Sequence, residues 1–240
     1  MNPQDPIILV IYLVCMTYAI VQIIKSFDDE YTVALDKDAL KQQLESHNLQ
    51  DDLEISFGFE KRYEFSKSEA ADKLKKFGIS VKNKLKDRPI YVDWDYSAMT
   101  DLEGRSRRIT RLVPGNTLDV FQYQAFNTVA PETTLKETIT AEDVLKRKDS
   151  EEKVPIALQI DIDKPLLDFA ALNKPKASET NKRRYARFVK RVETLDFSMN
   201  LAIRRVGSAI PESGHRTHIH CTFILTKLPW LAALPWNPKD

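Results

Sequence analysis

The run IILVIYLVCMTYAIVQII, residues 7–24, carries no charge, and none occurs between Asp5 and Lys25. As a helix it rises roughly 27 Å, close to the hydrocarbon thickness of a bilayer. Thr17 and Gln22 are its only clearly polar members. A buried core helix is the bland alternative. The all-round apolar surface and the place at the start of the chain favour a transmembrane anchor instead. A cleaved signal peptide needs a basic leading region and a small-x-small cleavage site. The first residues, MNPQD, hold no Lys or Arg, and no A-x-A pattern follows the run. The anchor is therefore expected to stay, spanning residues 1–25. Lys25 and Lys37 follow the run and no basic residue precedes it. The positive-inside bias then directs the larger part of the chain to the cytoplasmic face of the membrane. Asp28, Asp29 and Glu30 crowd the same flank but count for little in that rule.

What remains of the 240 residues is enough for one good-sized domain or two small ones. With 36 basic against 35 acidic residues the net charge is +1. That argues against a dedicated nucleic-acid binder, which is usually strongly basic. Only 6 glycines occur. None of the P-loop, nucleophile-elbow, H-E-x-x-H or C-x-x-C patterns is present. No repeat and no low-complexity tract appears. Cys15 lies in the apolar run and Cys221 near the other end. A disulfide between them is implausible. Two free thiols fit a reducing compartment.

Residues 26–51 read as a membrane-proximal helical segment, with Leu40 and Leu44 one turn apart. From residue 52 the period changes to two, as in half-buried strands. Leu53, Ile55, Phe57 and Phe59 alternate with polar residues, as do Ile90, Val92, Trp94 and Tyr96. Residues 67–76 read as a short helix and Arg107–Val113 as a strand. Residues 117–129 are β-rich, Ala130–Thr140 carries turn chemistry, and 141–148 holds a helical turn. Ile156–Ile162 alternates until Pro165 stops it. The clearest rows are Leu195–Ile203 and Ile219–Leu225. Seven or eight strands with short helices predict a mainly β fold, an antiparallel immunoglobulin-like β-sandwich over 52–226. A Trp/Pro-rich tail, 227–240, follows it.

The stretch GHRTHIHC, residues 214–221, holds three of the 4 histidines. On a strand His218 and His220 share a face, so they can begin a metal site. Zinc then needs a further protein ligand. Cys221 points to the opposite face and cannot serve. Pairing Ile203 with Ile219 and Leu201 with Cys221 sets His218 beside Arg204 and His220 beside Ala202. A cation there disfavours a metal, so the pair reads as solvent-facing imidazoles, and Cys221 as a small buried apolar residue. His215 sits in a loop.

Two D-x-D pairs, Asp93/Asp95 and Asp161/Asp163, each project from one face of a strand. On neighbouring strands four carboxylates can gather a divalent cation or supply an acid and a base. The plainer reading is polar occupancy of a solvent face. Residues 179–192 (ETNKRRYARFVKRV) form an amphipathic helix. Tyr185, Phe188, Val189 and Val192 make its apolar stripe. Lys182, Arg183, Arg184, Arg187, Lys190 and Arg191 cover the remainder. Such a helix suits anionic headgroups or an acidic partner. In the tail, Trp230 and Trp236 suit a membrane interface or a partner's groove.

The run VKNKLKDRPIYVDWDYSAMTDLEGRSRR resembles the strand-turn-strand openings of bacterial accessory immunoglobulin-like domains. The ending CTFILTKLPWLAALPWNPKD resembles that of uncharacterised single-pass membrane proteins of cyanobacteria. The resemblance implies a fold and a lineage and carries no catalytic residue. The expectation is a membrane-anchored, non-enzymatic interaction or assembly module. It would bind a membrane-protein complex or an anionic lipid surface, with no cofactor, nucleic acid or small-molecule ligand. The alternative is a metal-binding or hydrolytic domain using the His pair or the paired aspartates.

Overall fold

The protein, seen as a computed structural model, is described over residues 5–26, 30–65, 73–112, 123–147, 160–205 and 216–233. Helix α1 (Asp5–Ser26) comes first. Strand β1 (Glu30–Leu35), helix α2 (Lys37–Ser46), β2 (Leu53–Gly58), β3 (Tyr63–Glu64) and β4 (Phe77–Asn83) follow. Next come β5 (Ile90–Thr100), β6 (Ser106–Arg111), β7 (Asn127–Val129), β8 (Thr134–Ala141), β9 (Leu145–Arg147) and β10 (Ile160–Ile162). Helix α3 (Glu179–Val189), β11 (Leu195–Arg205) and β12 (Arg216–Lys227) complete the set. Most of the 67–76 helix expectation, the 117–122 end of the β-rich stretch and residues 156–159 lie outside the described residues.

The chain is mainly β and antiparallel. Hydrogen bonds join one sheet in the order β2-β4-β8-β6-β5-β11-β12-β1-β3, with β7 on the side of β5. Strands β9 and β10 make a separate ribbon. The main sheet is continuous, where two facing sheets of a sandwich were expected. Six steps separate β2 from β12 along this path, roughly 29 Å if the sheet were flat. Yet the Phe57 ring on β2 lies 4.8 Å from the Phe223 ring on β12. The sheet therefore curls into a half-barrel and buries its own inner rows. Phe59, Phe77 and Phe197 pack around Phe223 in the same core.

A bulge in β5 assists the bend. Ala98 pairs with Asn200, but Asp93 pairs with Ala202, so β5 carries extra residues there. Ser97 Oγ bridges the gap. It donates to the Asp93 carbonyl at 2.8 Å and accepts from the Ala202 N–H at 3.0 Å. The β5–β6 turn closes on Asp101, whose Oδ1 accepts from Glu103 and Arg105 N–H. Gly104 takes the positive φ of 83° that this turn requires.

Two strands stand where the sequence suggested otherwise. Within 26–51, β1 precedes α2 and pairs with β12. Within 130–140, β8 is a central strand between β4 and β6. The expected helical turn after it is a 3-10 turn at Glu142–Val144. Helix α2 starts on Asp36, which accepts from Ala39 N–H at 3.0 Å, and buries Leu40 and Leu44. The side chains of α1 are described from Ile7 to Val21 and are exposed. Over the described residues, which for the side chains of α1 stop at Val21 within the uncharged run 7–24, no helix is long and apolar enough to cross a membrane.

Candidate functional site

The histidines lie on β12 as a same-face, exposed pair. The register is two residues from the one expected. His220 faces Asn200 and His218 faces Ala202, while Arg204 faces Arg216. His220 Nδ1 lies 2.8 Å from Asn200 Oδ1. The shift keeps parity, so Cys221 remains buried, opposite Met199. His215 lies outside the described residues.

The aspartates do not gather. Asp93 is buried and accepts from Arg216 Nε at 2.8 Å. Asp95 accepts from Arg108 Nη2 at 2.7 Å, on the other side of β5. The β5 bulge lies at these residues, and the two carboxylates are directed apart. Asp161 and Asp163 lie at the β9–β10 ribbon, which is not hydrogen-bonded to β5. Among the described residues no group of three His, Cys, Asp or Glu is placed to hold a metal ion.

The amphipathic helix forms as α3. Ser178 caps it, accepting from Asn181 N–H at 3.2 Å. Phe188 is buried and Tyr185 and Val189 are half-buried. Val192 departs from the stripe. It follows Arg191, whose φ of 59° ends the helix, and is 65% exposed. Much of the basic face is already paired. Lys182 meets Glu179 at 2.9 Å, Arg184 meets Asp196 at 2.9 Å and Arg187 meets Glu193 at 2.8 Å. Arg183 and Lys190 stand exposed.

A feature unforeseen from the sequence lies beside α3. A groove of about 840 Å³ opens between α3, the 3-10 turn Ala170–Asn173 and the ends of β1, β3 and β12. Phe65, Phe169, Tyr185 and Val189 supply apolar wall. Tyr31 backs it, its ring 5.0 Å from Phe169. Burial pushes the Tyr31 phenol well above its ordinary range, so it stays neutral at physiological pH. Lys73, Lys190 and Lys227 supply cations, and Glu64 and Asp168 supply carboxylates. The Lys227 ammonium lies 5.2 Å from the Phe65 ring centroid, within cation–π range.

Lys227 gave the legible signal. It continues the inward row Ile219, Cys221, Phe223, Leu225 and is only 6% exposed. A lysine on a core-facing row marks a place where the core opens.

These parts meet at one pole of the molecule. Tyr31 pairs with both Lys227 and Tyr63. Leu228 N–H donates to the Glu30 carbonyl at 2.8 Å, which brings the start of the tail to the same place. The tail forms a 3-10 turn at Trp230–Ala233, and Arg62 donates to the Ala232 carbonyl. Arg191, just past the end of α3, reaches the Leu228 carbonyl at 3.5 Å. Tyr31 follows Ser26 by five positions, so it lies within roughly 18 Å of the end of α1. Trp236 lies outside the described residues.

No family model matches the chain, and no curated protein matches it. An X-ray structure of the Northeast Structural Genomics Consortium target SoR45 aligns at 11% identity. The alignment covers 75% of this chain and 87% of that one, with a TM-score of 0.28. A crystal structure of a protein from Archaeoglobus fulgidus aligns at 13% identity over 73% of this chain and 96% of that one, with a TM-score of 0.27. Likenesses this weak carry neither fold nor function across.

Proposed function

We propose that the chain is a membrane-anchored, non-enzymatic interaction module that meets a membrane-protein partner at the bilayer surface. The observation that carries this is the convergence at one pole. The C-terminal end of α3 and the start of the tail meet there, and five chain positions, roughly 18 Å at most, join the end of α1 to Tyr31 in the same place. In this reading α1 is the single transmembrane anchor. Its 22 residues rise roughly 33 Å, and its uncharged core is residues 7–24. An exposed, all-round apolar surface from Ile7 to Val21 is stable in hydrocarbon and costly in water. Lys25 and Lys37 favour the cytoplasmic face. The resemblance to single-pass membrane proteins fits the same picture.

Asp93 and Asp95 are engaged by arginines in opposite directions, which weighs against the aspartates of the metal or hydrolytic alternative. The contact elements are Arg183, Lys190 and the tryptophan-bearing tail.

The test is made on the full, tagged chain in its native membranes. It is expected to resist alkaline carbonate extraction and to copurify with a stoichiometric membrane protein after gentle solubilisation. Arg183→Glu with Lys190→Glu is expected to lose that partner while keeping the anchor. Release by carbonate, or a partner retained at full stoichiometry by the charge-reversed chain, contradicts the proposal.

A further inference from the structure

We infer that the groove beside α3 binds one anionic phospholipid drawn from the membrane that holds α1. This rests on the anchored reading above and deepens it by naming what the pole receives. The groove has two chemistries, and they are segregated by residue type. Phe65, Phe169 and Val189 give a wall suited to an acyl chain. Tyr31, held neutral by burial, extends that wall. Lys73 and Lys190 give the cations an anionic headgroup phosphate needs, while Lys227 is packed over the Phe65 ring in the wall.

Charge balance favours an anion. Of the two carboxylates, Asp168 is held by Lys174 at 3.2 Å and by the Ala171 N–H at 3.1 Å, and Glu64 is outnumbered by the three lysines of the groove. The volume, about 840 Å³, falls within the range of ligand sites, about 300–1,000 Å³. A small soluble anion would meet the lysines but leave the aromatic wall in water. A neutral lipid would cover the wall but bring no anion to Lys73 and Lys190. An anionic phospholipid satisfies both.

Position supplies the source. Covalent geometry keeps Tyr31 within roughly 18 Å of the end of α1 whatever path residues 27–29 take. The register then fixes Lys227 and Tyr63 beside Tyr31. The groove therefore lies at the pole nearest the anchor.

The experiment uses the full chain in detergent micelles doped with dioleoylphosphatidylglycerol or, separately, dioleoylphosphatidylcholine. Native mass spectrometry reads the bound lipid. A single phosphatidylglycerol adduct is expected, with phosphatidylcholine at least tenfold weaker. Ala186 is exposed on the α3 wall of the groove. Ala186→Trp should fill the groove and abolish the adduct at an unchanged melting temperature. Lipid merely bound along α1 would survive that substitution. Lys73→Gln and Lys190→Gln should each weaken binding about fivefold, and they keep the test open if Ala186→Trp does not fold.

Equal binding of the two lipids overturns the inference, as does an adduct indifferent to all three substitutions. Carbonate extraction separates the two readings. An integrated chain with no groove-dependent adduct overturns the groove alone. A released chain with a groove-dependent adduct overturns the anchor alone and supports the groove as a site for an anionic amphiphile.

Discussion

Cys221 shows how one buried side chain sets a pH dependence. It is fully buried on β12, and burial pushes its thiol from an ordinary 9.0 up to about 12. Between those values the folded state keeps a proton that the unfolded state has lost. Stability therefore falls as pH rises, by about 1.4 kcal/mol per unit from this group alone. Tyr31 shifts in the same direction above its ordinary value of 10.0 and adds to the slope. Urea denaturation of the full chain at pH 8, 9 and 10 is expected to show the decline, and Cys221→Ala a shallower one. Parallel declines in the two proteins would show that the thiol does not titrate differently in the fold. The burial of Cys221 was legible, since any register that keeps parity leaves it inside. The β11–β12 register was not, because apolar rows of equal period match equally well two residues apart.

At the scale of elements, the β5 bulge carries the largest local consequence. It separates Asp93 from Asp95 and lets the sheet turn. Ser97→Ala would leave the buried Ala202 N–H without its acceptor. A loss of about 1–3 kcal/mol is expected, read as a lowered urea midpoint. A loss below about 0.5 kcal/mol would show that the bulge is held by something else.

The strands missed in the sequence have physical explanations. In β8 the period-two row Leu135, Glu137, Ile139 is broken by a carboxylate. Glu137 is tolerated because it accepts from Asn127 Nδ2 at 3.3 Å, and Asn127 Oδ1 takes the Trp94 indole N–H at 2.6 Å. That polar bridge joins residues far apart in sequence and leaves no local sign. In β1 the row Tyr31, Val33, Leu35 was present, but it adjoins the acidic cluster Asp28–Glu30 and a helix, which mask it. Helix α3 was legible from the stripe Tyr185, Phe188 and Val189, although Val192, the fourth member, lies past its end. Its salt bridges were not readable, since Asp196 comes from the next strand.

For the whole molecule, curvature is the property on which the rest depends. A sandwich and a curled single sheet bury the same alternating rows, so period alone does not separate them. The contact between Phe57 and Phe223 does. A double-mutant cycle with Phe57→Ala and Phe223→Ala is expected to give a coupling energy of about 0.5–1.5 kcal/mol. Additive effects would mean that β2 and β12 do not meet.

On the proposed reading, the pole that holds the groove and the start of the tail faces the bilayer. Along β12, His218 lies nine positions from Lys227, roughly 30 Å away. With Cys15 replaced by Ser, a bimane label is placed at Lys190→Cys or at His218→Cys. The full chain is reconstituted in vesicles whose lipids carry a headgroup nitroxide. Strong quenching is expected at position 190 and none at 218. Quenching at 218, or at neither position, would contradict that reading.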